Sequence, residues 1–191
     1  MSYHIYTTEA IILKRSPVGE GNILLSILTH DFGLIVASVQ SARLEKSKLR
    51  PSVQEYSLVN ISCVKAKGGW RVVDSSVIKS FFSTVDISSQ DILVKVCNLL
   101  LKMMPEEGKH SEIFDTVESG FETLNYNQNK NIIECLLVLR ILYYLGYVSP
   151  DGISEFLISS SLWDLKTLSL VGDKKPSIIK LINNGLSASH L

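Results

Sequence analysis

The sequence predicts an α+β protein: a five-stranded β-barrel at the N-terminus followed by an all-helical domain. Three observations lead there. Through residue 80 the apolar residues fall in short runs broken by glycine, proline and asparagine turns, with no helical period. Beyond residue 85 the apolar spacing changes to three and four. The charge also changes sign. Residues 1–80 hold ten Lys/Arg and six Asp/Glu, a net of +4, and residues 81–191 hold nine and thirteen, a net of −4, within a neutral chain. Opposite signs fit two domains, 1–80 and 81–191, with separate partners, the basic one suited to a polyanion.

The strands follow in order. Thr8 to Arg15 is rich in β-formers and ends at Ser16-Pro17-Val18-Gly19-Glu20-Gly21, whose proline and glycines predict a turn. Asn22 to Thr29 is apolar on both sides, as in a closed barrel. His30-Asp31-Phe32-Gly33 reads as a hairpin loop, Gly33 supplying the left-handed residue. Leu34 to Val39 places Ile35, Ala37 and Val39 on one face. Val53 to Val64 is a long fourth strand, Lys67-Gly68-Gly69 a turn, and Trp70 to Ile78 the fifth strand. Five short strands with one long polar connection after the third suggest an OB-fold, and an SH3-like barrel fits the count nearly as well.

From a boundary at Phe81 to Ile87 the helices begin. Ser88 with Asp91 reads as a capping box. Ile92, Leu93, Val96, Leu99, Leu100, Met103 and Met104 then form one apolar face, stopped by Pro105. Ile113, Val117, Phe121 and Leu124 form a second stripe. Ile132 to Leu145 is apolar nearly all round and should be central, with Gly146 as its stop and Pro150 preventing continuation. Shorter helices are predicted at Ser154–Ser161 and Ser177–Asn183, the latter between Pro176 and Asn184-Gly185. Arg140, inside the apolar helix, reads as one half of a structural pair with a distant acid, or as a snorkelling side chain.

Several classes are disfavoured. With 46% hydrophobic and 20% charged residues the composition is that of a globular protein. Met1-Ser2-Tyr3-His4 does not open a signal peptide, and the longest apolar run is too short for a membrane span, so a cytoplasmic protein is expected. Cys63, Cys97 and Cys135 are scattered, as are the four histidines, which predicts neither disulfides nor a metal site and no cofactor. There is no P-loop and no nucleophile elbow, so the chain is expected not to be an enzyme. Glu106-Glu107 reads as a pair of solvated acids in a helix–helix connection.

The candidate chemistry is basic. Ser41 to Arg50 holds Arg43, Lys46, Lys48 and Arg50 against one acid, Glu45, where no pattern demands burial. Such side chains can track a phosphate backbone. Lys65, Lys67 and Arg71 flank the last hairpin around Trp70, and Lys14 and Arg15 end the first strand. Any single cluster is most simply a solvated loop, and Trp70 is more simply a packing residue than a base-stacking platform. Three clusters in one barrel point to nucleic acid.

The ordered set Thr8-Glu9-Ala10-Ile11-Ile12-Leu13-Lys14-Arg15, Gly19-Glu20-Gly21-Asn22, Leu28-Thr29-His30-Asp31-Phe32-Gly33, Ser41-Ala42-Arg43 with Lys46-Ser47-Lys48-Leu49-Arg50, and Gln54 resembles the bacterial recombination mediator family RecO. Leu139 to Tyr147 resembles its central helix with a Leu-Gly-Tyr ending. The resemblance implies an N-terminal OB-fold binding single- and double-stranded DNA, with contacts at Arg43, Lys46, Lys48 and Arg50. It implies strand annealing, association with RecR and the single-stranded DNA-binding protein, and, through them, assistance to RecA loading in repair. There are departures. The family's glycine before the Ala-Arg pair is Ser41, its Gln-Pro-aromatic segment is Gln54-Glu55-Tyr56, and no cysteine follows Cys135 to build the zinc module many members carry. The chain is also expected to be a short member. The rival reading is a protein–protein adaptor whose basic loop is incidental.

Overall fold

The computed structural model describes residues 4–149, 153–159 and 163–188. The chain divides into two compact units, Met1–Thr84 with Pro105–Phe114, and Val85–Met104 with Asp115–Leu191. A cut at residue 80 therefore leaves out a segment, Pro105–Phe114, that belongs with the barrel.

In the first unit, β1 (Ile5–Val18), β2 (Asn22–Thr29), β3 (Gly33–Val39), β4 (Ser57–Ala66) and β5 (Gly69–Ser80) close in the order β1-β2-β3-β5-β4. β1 is shared, pairing antiparallel with β4 over Ile5–Ile11 and with β2 over Ala10–Val18. A register shift between Ile12 and Lys14 marks the bend between partners. β3 closes on β5 in parallel, through Ala37↔Trp70 and Ser38↔Arg71. This Greek-key closure is that of an OB-fold, which resolves the choice left open by strand count. Alternate residues fill the barrel: Ile23, Leu25 and Ile27 from β2, and Ile35, Ala37 and Val39 from β3, as the alternation predicts.

Several strand boundaries differ from the sequence reading, and two of the differences have a plain physical cause. β1 continues through Ser16-Pro17-Val18, paired with Leu24, Ile23 and Asn22. Pro17 lies beyond the reach of β4, at an edge where a strand tolerates proline. β4 starts at Ser57 rather than Val53, because Pro51 helps build a 3-10 turn at Arg50–Ser52 and Tyr56 is left-handed at φ 60. β3 and β5 meet only at Ala37 and Ser38, and farther along β3 Leu34 instead bridges Glu106. The Pro105–Phe114 segment thus binds the backbone at the start of β3, through Glu107 to Leu34 and Gly108 to Phe32. A short helix α1 (Phe81–Thr84) ends this unit's continuous stretch, with Phe81 fully buried.

The second unit contains α2 (Ile87–Met103), most of α3 (Ser111–Tyr126), α4 (Lys130–Tyr144), α5 (Ile153–Ser159) and α6 (Leu165–Ala188). The cap of α2 is Asp86, whose carboxylate accepts the Ser89 N–H at 2.9 Å; Ser88, expected to cap, lies inside the helix and donates its hydroxyl to Asp86. α4 is central as predicted, with eight buried residues. Arg140 is among them, 2% exposed, so it does not snorkel. Its Nε donates to the Leu157 carbonyl at 3.0 Å and its guanidinium lies 4.6 Å from the Trp163 ring centre. Desolvation lowers its pKa to about 10.

The last helix departs most from expectation. Pro176 does not start a helix but sits inside α6. Leu168, Val171, Ile178 and Gly185 are buried along one stripe that runs through the proline, so packing on both sides overrides the break. Gly185 is not a stop either. A Cβ there would stand 2.9 Å from Val148 Cγ2 and 3.2 Å from the Tyr147 carbonyl oxygen, so the glycine permits a close approach. Pro150 and the end of the predicted Ser154–Ser161 helix lie outside the described residues. No helix is long and apolar enough to cross a membrane among the described residues.

Candidate nucleic-acid interface

The connection between β3 and β4 is anchored at both ends and exposed between. Ala42 and Val53 are fully buried in the barrel core. Ser41 is left-handed at φ 56, and its N–H donates to Asn22 Oδ1 at 2.9 Å. Glycine would adopt that conformation without penalty, whereas Ser41 holds it with the help of this bond. Arg43 then lies against the β1–β2 turn. Its backbone N–H donates to the Gly21 carbonyl, and its guanidinium to the Gly19 carbonyl, both at 2.9 Å. Lys46, Lys48 and Arg50 follow, all exposed.

Gln54 ties this connection to the end of β1. Its Nε2 donates to the Arg50 carbonyl at 2.6 Å, and its Oε1 accepts from the Arg15 guanidinium at 3.1 Å. Beside it Glu55 accepts the Arg15 backbone N–H at 2.6 Å. Two of the three basic clusters, Lys14-Arg15 and Arg43 to Arg50, are thereby brought to one end of the barrel.

Between them runs an open groove of about 560 Å³, whose lining includes Arg15, Arg43, Glu55, Tyr56 and Phe82. Tyr56 is held by its backbone, the N–H donating to the Ile12 carbonyl at 2.8 Å and the carbonyl accepting from Phe81 at 3.0 Å. Its ring stacks on Phe82 with centres 5.4 Å apart and planes at 23°. Neither aromatic stood out in the sequence, because their value arises from meeting the two arginines across long stretches of chain. The left-handed Tyr56 leaves no local signal that reading residues in order could find.

The third cluster has a different setting. Lys65 Nζ stands 2.7 Å from Glu107 Oε2, and the Trp70 indole N–H donates to Glu107 Oε1 at 3.0 Å. Glu107 is held in turn by its backbone N–H on the Leu34 carbonyl at 2.9 Å. These hydrogen bonds, from Lys65 first and then Trp70, hold its carboxyl below the usual glutamate value. Glu107 is therefore a bound acid rather than the free solvated one expected. Trp70 is buried and packs edge-on against Tyr6 and tilted against Phe32, which is the packing role weighed for it. Lys67 is exposed beside the β4–β5 turn, and Arg71 is half-buried next to Ser38 of β3. Among the described residues no group of three or more His, Cys, Asp or Glu side chains is arranged to hold a metal ion.

Comparison with known proteins now bears on the family of this barrel. Residues 1–81 match the family described as Recombination protein O N terminal. Over those residues the barrel is similar to a RecO N-terminal domain. Similarity extends past the barrel. The chain is 30% identical over 147 residues to the DNA repair protein RecO of Dehalococcoides mccartyi (strain ATCC BAA-2266 / KCTC 15142 / 195), covering 75% of this chain and 57% of that protein. It is 27% identical over 150 residues to the DNA repair protein RecO of Thermodesulfovibrio yellowstonii, covering 76% and 59%. The RecO protein of Clostridium novyi is 26% identical over 147 residues, with coverage of 75% and 57%. The chain thus spans less than two thirds of the length of these RecO relatives.

Proposed function

We propose that this protein acts in recombinational DNA repair as a non-catalytic, RecO-type mediator in the cytoplasm. Its barrel binds single- and double-stranded DNA and anneals complementary single strands. It works with RecR and the single-stranded DNA-binding protein, and through them assists RecA loading. The observation that supports this most is the joining of the Arg43–Arg50 connection to the end of β1 through Gln54. It sets Lys14, Arg15, Arg43, Lys46, Lys48 and Arg50 around one end of an OB barrel.

The electrostatics follow from that placement. Arg15 and Arg43 are held by neutral oxygens of Gln54 and Gly19, so these contacts do not neutralise their charge. Among the described residues neither Lys46 nor Lys48 has an ion-pair partner. Each phosphate neutralised by such a group releases condensed counterions, which makes binding salt-dependent. Lys65 and Trp70, engaged by Glu107, add less to this surface; Lys67 is exposed beside the β4–β5 turn, and Arg71 pairs with Ser38 of β3.

The test is the double substitution Lys46→Ala with Lys48→Ala. Affinity for single-stranded DNA should fall for all sequences, and the slope of log affinity against log salt should become shallower by about 1.4, two contacts at about 0.7 each for a single strand. Unchanged affinity and slope would remove these lysines from the interface. Capture of RecR by the purified protein checks the partner assignment separately.

A further inference from the structure

We infer that the groove between Arg15 and Arg43 is a subsite for one unpaired nucleotide, its base stacked on the Tyr56–Phe82 pair and its phosphate held by the two guanidiniums. This rests on the DNA-binding reading above and adds a strand preference with a named cause.

The groove is a built site. Its volume, about 560 Å³, falls within the range of small-ligand pockets. Each guanidinium spends one N–H on a neutral oxygen, Arg15 on Gln54 and Arg43 on the Gly19 carbonyl. A guanidinium has five N–H donors, so both side chains are oriented and still able to donate to a phosphate. The acid in the lining, Glu55, is engaged by the Arg15 backbone N–H.

The aromatic part of the lining is placed at a cost. A non-glycine residue in the left-handed region is disfavoured, yet Tyr56 is fixed there at φ 60 by backbone bonds to Ile12 and Phe81. That conformation sets its ring against Phe82. The neighbouring phenylalanines divide the work: Phe81 is fully buried, whereas Phe82 remains 40% exposed beside the groove. Phe82, stacked on Tyr56, thus leaves part of its ring exposed at the groove.

Selectivity follows from the geometry of nucleic acids. A base in a duplex has both faces covered by its neighbours, so only an unpaired base can offer a face to Phe82. The arginines take a phosphate from either form. Single- and double-stranded DNA should therefore share the arginine contacts and differ in the aromatic one.

Phe82→Leu tests this, since it keeps apolar bulk while removing the ring, with Phe82→Tyr as the variant that keeps a stacking face. Circular dichroism checks that both are folded. Affinities for a single-stranded oligodeoxynucleotide and for a duplex of equal length are measured at several salt concentrations. Phe82→Leu should weaken single-strand binding about thirtyfold, the middle of the range for one base–aromatic stack. Duplex affinity and the salt slopes should change little, and Phe82→Tyr should restore single-strand binding. Unchanged single-strand affinity in Phe82→Leu, with normal salt-dependent binding, would overturn the subsite and leave the DNA-binding reading standing. Equal losses on both DNA forms would also overturn it. Absence of DNA binding by the unsubstituted protein would overturn both.

Discussion

Replacing Gly33 with alanine should damage the barrel more than replacing any glycine in an open turn. Gly33 has φ +68, and an added Cβ would overlap the carbonyl oxygen of Gly108. Two penalties then combine. Holding alanine in the left-handed region costs about 1–2 kcal/mol. To relieve the overlap, the 106–108 segment must retreat from the β2–β3 hairpin. That breaks the hydrogen bonds from Glu107 to Leu34 and from Gly108 to Phe32. At about 1 kcal/mol each, these bring the expected loss to about 3–4 kcal/mol. Gly19 supplies the control, because it has φ +58 with nothing within 4 Å of an added Cβ. Gly19→Ala should show the backbone penalty alone. Urea unfolding followed by Trp70 fluorescence in a Trp163→Phe background measures both, and hydrogen exchange at the Glu107 and Gly108 amides reports the retreat directly. Equal losses for the two alanine variants, or unchanged exchange at 107 and 108, would refute the account of this segment as part of the barrel.

Two further predictions concern titration and reactivity. Asp86 accepts hydrogen bonds from Ser89 and Ser88, which lower its pKa from 3.8 to about 2. Its folded value lies below its unfolded one, so its stabilising contribution is complete above pH 4 and is lost as pH falls through about 2. Helical circular dichroism should show this loss, and Asp86→Asn should lack the pH dependence of this cap; an unchanged acid profile would contradict the capping role. Burial raises the thiol of Cys63 to about 11, and Cys97 and Cys135 are also buried. Native protein at pH 8 should therefore react slowly with a thiol reagent and fully once denatured, whereas rapid labelling of the native form would contradict the packing around these residues.

Much of this fold is legible in residue order because its signals are local. Alternation in Leu34 to Val39 gave the buried face of β3, and the turn at Gly33 gave its start. The continuous apolar run of α4 announced a central helix. Other features depend on distant neighbours. Pro176 reads as a boundary until the buried stripe of α6 is seen to continue past it. Asp86 rather than Ser88 caps α2 because it is the aspartate whose carboxylate reaches the Ser89 N–H. The basic residues of the interface were legible by charge and spacing. Their grouping was not, since it depends on Gln54 joining Arg15 to Arg50, and the aromatic half of the groove depends on one left-handed tyrosine. Glu107 illustrates the same limit from the opposite side: an acid in a helix connection becomes a partner of Lys65 and Trp70 only once the chain closes on itself.

The most direct test of the central claim is the affinity of the unsubstituted protein for single-stranded DNA across a range of salt concentrations. The surface proposed for this end of the barrel holds six cations, Lys14, Arg15, Arg43, Lys46, Lys48 and Arg50, of which Arg15 and Arg43 line the groove. If each meets a phosphate, log affinity should fall against log salt with a slope of about −4. Binding that is absent at low salt, or present but indifferent to salt, would contradict a phosphate-tracking surface on this barrel.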